Sequence, residues 1–126
     1  MNTDPAKGLR VVQVSDCHVS SDPAANYRGI RSGSTLQSLL PAIRDFQPDL
    51  LLLTGDVSED ASPESYGRVS ALLSSVDAPV LALPGNHDDP VVIARYYPRG
   101  PWDGPMFHAL EDWHFVLLDS TRPGEI

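Results

Sequence analysis

Cysteine occurs once in these 126 residues, at Cys17, so no internal disulfide holds the fold and the chain suits a reducing compartment. No stretch of the sequence approaches the roughly 20 apolar residues that cross a bilayer, so no membrane partner is expected. The first residues, Met1-Asn2-Thr3-Asp4-Pro5, lack the charged segment and apolar segment of a secretory leader. The resulting expectation is a soluble, cytoplasmic protein. Positive charge is scarce too: nine Lys and Arg stand against 17 Asp and Glu, for a net charge of −8. The basic residues are scattered, which argues against a duplex-binding stripe and against nucleic acid as a partner. Acidity does not exclude a small phosphorylated ligand, because a bound divalent cation reverses the local field.

What is present is an ordinary globular composition, 41% hydrophobic and 21% charged, which a single domain over residues 1–126 accounts for. A chain of this size buries a core without a structural metal. Three short apolar runs each end in polar residues. Leu9 to Val14 leads to Ser15-Asp16-Cys17-His18, Leu50 to Leu53 leads to Thr54-Gly55-Asp56, and Val80 to Leu83 leads to Pro84-Gly85-Asn86-His87-Asp88. Such runs suit strands buried on both faces, as in a parallel sheet.

The intervening segments read as helices. Ser34 with Gln37 has capping-box spacing, followed by Leu36, Leu39, Leu40 and Ile43 at helical intervals, and Pro41 predicts a kink or a shortened helix. Ser62-Pro63 reads as N-cap and N1 of a second helix, with Tyr66, Val69, Leu72, Leu73 and Val76 on one face. Strand, helix, strand, helix, strand is an α/β fold with two right-handed crossovers. Beyond Asp89, residues 91–97 suggest a short helix. A Pro/Gly-rich loop follows, then a β-hairpin with Met106 to Leu110 and Trp113 to Leu118 around a turn at Glu111-Asp112.

The carboxyl ends of neighbouring parallel strands lie side by side, which is where open α/β sheets hold ligands. Asp16, His18, Asp56, Asn86 and His87 are therefore expected to converge. Carboxylate, imidazole and amide oxygen together suit iron, manganese or zinc. Asp16 and His18 are two apart, so an extended backbone would aim them the same way. Taken singly, each motif is ordinary turn chemistry. Cys17 reads as a small buried residue, His108 and His114 as polar hairpin positions, Trp102 and Trp113 as packing residues, and Glu59-Asp60 as a solvated loop, with support of the neighbouring ligand residues as the alternative.

The series Asp16-Cys17-His18, Gly55-Asp56 and Gly85-Asn86-His87-Asp88 resembles the first three motifs of the calcineurin-like metallophosphoesterases, over nearly the whole chain. It is most similar to the bacterial cyclic-nucleotide phosphodiesterases, and Leu118-Asp119-Ser120 with Pro123-Gly124-Glu125 resembles the segment that follows in them. The resemblance implies two divalent metal ions. Asp16 and His18 would hold the first, Asp56 would bridge both and Asn86 would hold the second. His87 would sit near the substrate phosphate as the catalytic residue, Asp88 would orient His87 or a neighbouring loop, and a hydroxide between the metals would attack phosphorus. The substrate class implied is a small phosphodiester such as a cyclic nucleotide.

The family pattern continues with a histidine on a later strand and a Gly-His-x-His motif, neither of which occurs in these residues. The second metal would then keep only Asp56 and Asn86, too few for a tight site, and the chain alone would be inactive. The resemblance implies a β-sandwich flanked by helices, of which this sequence supplies the amino-terminal half: the parallel βαβαβ core and one hairpin. The hairpin would expose an edge and an apolar face. Two expectations stay open: a shortened product of a longer gene, or a surface completed by a second copy or another chain. Two rival functions also stand, a non-catalytic interaction module of the same fold and a phosphomonoesterase or nuclease of the same superfamily.

Overall fold

The three apolar runs form the strands β1 (Val11–Val14), β2 (Leu50–Thr54) and β3 (Val80–Leu83), parallel and side by side in that order. The computed structural model describes residues 8–26 and 28–122; the amino-terminal segment and Pro123-Gly124-Glu125 lie outside them. In register, Val12 faces Leu51 and Leu53 faces Ala82 across the ladder. Because strand side chains alternate, β2 buries Leu51 and Leu53 on one face and Leu50 on the other. Each buried leucine contributes on the order of 1.5–3 kcal/mol.

The helices α1 (Ser32–Phe46), α2 (Pro63–Leu73) and α3 (Pro90–Tyr96) supply Leu36, Leu40, Ile43, Tyr66, Val69, Leu73 and Ile93 to the first of these faces. The second face is covered by the antiparallel hairpin β4 (Met106–Leu110) and β5 (Trp113–Leu117). Its Met106, Leu110, Phe115 and Leu117 pack on Leu50 and Leu81. The result is three layers, with helices, parallel sheet and hairpin in turn: an α/β fold consistent with one half of a metallophosphoesterase sandwich.

Helix α2 starts as its sequence indicates, with the Ser62 side chain accepting from the Ser65 amide and Pro63 in the first turn. Helix α1 does not. It begins two residues before Ser34, with Arg31 at the N-cap and no side-chain cap bond. Its first turn packs beside the Arg68 guanidinium of α2, a long-range contact that local capping patterns do not carry. Pro41 does not shorten it either, since the helix continues to Phe46. Gln37, whose carbonyl loses its partner at Pro41, is exposed to water, while Leu40 and Ile43 stay buried on either side. Leu39, expected on the apolar face, is instead 46% exposed.

The hairpin's outer face carries Phe107, 72% exposed, opposite Val116, with Leu118 beyond. Trp102 packs against the core and donates its indole N–H to the Tyr97 carbonyl, as a packing residue should. Trp113 corrects the expectation for its pair: it is exposed at the turn end of the hairpin, covered by nothing among the described residues. No helix among those residues is long and apolar enough to cross a membrane.

Candidate metal centre

Beyond the sheet, two strand-exit loops run side by side. The Asp16 amide donates to the Gly55 carbonyl (3.0 Å), the His18 amide to the Asp56 carbonyl (2.9 Å) and the Val19 amide to the Val57 carbonyl (3.1 Å). This zipper brings the first two motifs together. The backbone is not extended there, contrary to the reading from their spacing: Asp16, His18 and Asp56 have φ of 58°, 47° and 46°. Left-handed conformations at three non-glycine residues cost energy, and such strain collects at functional sites. Gly55, at φ 95°, makes the turn a side chain would resist. Gly85 brings in the third motif; a Cβ there would collide with the Asp56 carboxylate and amide nitrogen.

Asp88 fixes the third loop to the second. Its carboxylate accepts from the amides of Val57, Ser58 and Gly85 and from the Tyr66 hydroxyl (2.8 Å). Burial, together with Asp88, pushes the Tyr66 hydroxyl well above its ordinary value, so it stays a donor. Asp88 thus orients a loop, one of the two roles expected for it. Cys17 packs against the core, and burial, Asp88 and Asp16 push its thiol up to about 12.

His18, Asp56 and His87 form the tight group: one ligand atom of each lies within 4.8 Å of the others. The His18 and His87 rings meet edge to face, with centroids 5.1 Å apart. His18 Nε2 lies 3.7 Å from Asp16 Oδ1 and 3.8 Å from Asp56 Oδ2. The Asp56 Oδ1 also accepts from the His87 amide at 3.0 Å. Asp16 stands at the exposed edge of the group, where Ser15 Oγ donates to its Oδ2.

Glu59 is not the solvated loop residue expected first; it takes the supporting role that stood as the alternative. Its Oε2 lies 2.7 Å from His18 Nδ1 and 3.6 Å from His87 Nδ1. A carboxylate only accepts, so it places the proton on His18 Nδ1 and leaves the Nε2 lone pair facing Asp16 and Asp56. The only sequence signal was an acid three residues after Asp56, indistinguishable from a solvated turn. Asp60, its neighbour, is a loop clamp: it accepts from the Ser21 amide and hydroxyl and from Ser62.

The donor set fits a divalent cation. Asn86 adds to it: its amide oxygen lies about 3.3 Å from both Asp56 carboxylate oxygens, three acceptors facing one another. A cation between them satisfies all three; a rotated amide donating to Asp56 is the other solution. A cavity of about 420 Å³ opens beside Asp16, Asp56 and Asn86, and Ser120, Thr121 and Arg122 line its far side. His108 and His114 stay on the hairpin, outside the metal-compatible group. His108 Nδ1 accepts from Arg99 (2.6 Å), and burial and the Arg99 charge lower its pKa.

A three-layer α/β fold with carboxylate, imidazole and amide donors at the strand exits defines a class of protein compatible with a bound metal ion. The sequence model of the calcineurin-like phosphoesterases matches residues 9–121, and the chain belongs to that family. It is 35% identical over 121 residues to a probable cyclic nucleotide phosphodiesterase of Synechococcus sp., covering 96% of this chain and 48% of that protein. It is 33% identical to the 3',5'-cyclic adenosine monophosphate phosphodiesterase CpdA of Pseudomonas aeruginosa, covering 92% and 43%. For the CpdA of Escherichia coli K12 the values are 31% identity, 89% and 42%. The chain therefore spans just under half the length of these relatives.

Proposed function

We propose that this chain carries ligands and a catalytic histidine of a metal-dependent phosphodiesterase acting on a small phosphodiester such as a cyclic nucleotide. The observation that carries the reading is the His18–Asp56–His87 group, with the Asn86 amide against the Asp56 carboxylate. The relatives' names support the substrate class. Asp16 and His18 would hold one ion, Asp56 would bridge, and Asn86 would hold a second, with iron or manganese favoured and zinc also suited to the donors. When bound, such ions supply Lewis acidity toward a phosphoryl oxygen and make water a better nucleophile.

The chain's own residues do the rest. Glu59 fixes the His18 tautomer and orients its ring. His87, half-buried and next to Glu59, holds a proton for the leaving oxygen. Asp88 holds the His87 loop against the Asp56 loop. The proposed setting is the cytoplasm. The exposed outer face of the hairpin supports the view that further polypeptide or a second copy of the chain covers it.

The test is hydrolysis of cyclic AMP and bis(p-nitrophenyl) phosphate with manganese present, by this chain and by a longer form that carries the later histidine motif. His87→Ala should lower turnover by about 10²–10⁴-fold with metal content unchanged. Equal loss of metal and turnover would make His87 a ligand instead. Preference for a phosphomonoester would move the protein to another branch of the family, and neither metal nor turnover would indicate a non-catalytic module.

A further inference from the structure

A second cavity, also of about 420 Å³, adjoins the candidate centre on the α1 side, and it has a different chemical character. It shares Asp16 and His18 with the site, then runs between the loop before α1 and the start of that helix. Ile30, Leu36 and Leu39 give it an aliphatic floor; Ser32 and Thr35 add hydroxyls, and Arg28 a guanidinium. Two of those aliphatic side chains are costly where they stand. Ile30 is 54% and Leu39 46% exposed, although Leu39 occupies a helical position that periodicity assigns to the core. The other cavity at Asp16 has no aliphatic Ile or Leu side chain in its wall among the described residues: Asp56, Asn86, Arg122 and the hydroxyls of Thr54, Ser120 and Thr121 line it, with Pro84 and two glycines.

We infer that this α1-side cavity is the subsite for a heteroaromatic arm of the phosphodiester, such as a nucleobase. The inference rests on the phosphodiesterase reading and narrows its substrate class. A phosphodiester held at Asp16, Asp56 and Asn86 carries its base to one side of phosphorus, since a cyclic nucleotide closes both ester bonds on one ribose, and the two cavities offer that base unlike surroundings. A planar base buries its faces on aliphatic side chains, stacks with a guanidinium and bonds hydroxyls at its edge. Recognition sites of this size are commonly apolar with a few placed polar groups. A diester with two small polar arms, such as a glycerol ester, would leave Ile30 and Leu39 in water.

The subsite can be probed without catalysis, metal or phosphate. The chain is titrated with adenosine and, separately, with ribose, following backbone amides by heteronuclear NMR. Adenosine should give saturable shifts centred on Ile30, Leu36 and Leu39, and ribose should not. Ile30→Asp and Leu39→Asp, both at exposed positions, should each weaken adenosine binding by about ten-fold or more. Thr35→Trp, which fills the cavity and removes no apolar contact, should block it as well. Inorganic phosphate with zinc, a diamagnetic ion that leaves the resonances sharp, should still shift Asn86 in all three variants. Adenosine shifts that are absent, centred elsewhere, matched by ribose or undiminished in the variants overturn the subsite. Adenosine bound here by a chain that ignores phosphate and zinc keeps the subsite and overturns the phosphodiesterase reading instead.

Discussion

A carboxylate that accepts from one nitrogen of an imidazole decides which nitrogen is left for a cation, and Glu59 does this for His18. Glu59→Gln should therefore cost about 10–100-fold in manganese affinity, measured by calorimetry. An unchanged affinity would show that His18 needs no such partner. Asp60 gives a prediction of different kind. Partial burial would raise its carboxyl, but hydrogen bonds from Ser21 and Ser62 override that and hold it well below the usual range. A depressed folded value adds stability that is complete above the unfolded value of about 3.9 and is lost as pH falls below it. Asp60→Asn should thus destabilise at pH 7, with the gap to the parent chain narrowing by pH 3 in urea melts. A gap of equal size at both values would mean that the charge is not what the clamp uses. That Asp16, His18, Asp56, Asn86 and His87 converge was legible, because each follows a strand of one parallel sheet. Glu59 was not, because its contact to His18 spans 41 residues and depends on the two loops zipping together.

At the scale of elements, the strands could be read directly from apolar runs, and β3 and both hairpin strands begin where those runs begin. Helix α2 was equally readable through Ser62-Pro63. The start of α1 was not, since Ser32, Ser34 and Thr35 all offer hydroxyls and packing beside Arg68 sets the start. The extended path assumed from Asp16 to His18 failed for a related reason: the pairing with Gly55 and Asp56 imposes left-handed turns. Asp88 joins these elements, taking bonds from Val57, Ser58, Gly85 and Tyr66. Asp88→Ala strands several half-buried donors and should cost about 2–4 kcal/mol in chemical denaturation. A loss under about 0.5 kcal/mol, the range of an ordinary surface change, would mean that the loops hold without it.

Over the whole molecule, the three layers place every sequence-indicated ligand at one end of the parallel sheet and leave the hairpin's outer face bare. The α/β class and the bare face were both legible, the first from run order and the second from the absence of further strands to cover it. The central claim is that the strand exits form a divalent-metal site with Asp56 at its heart. Elemental analysis after manganese loading and removal of free ion tests it most directly, on the parent chain beside Asp56→Asn. The account predicts at least one ion retained per parent chain and loss of all bound metal in Asp56→Asn. No metal in the parent, or the same content in both, would contradict it.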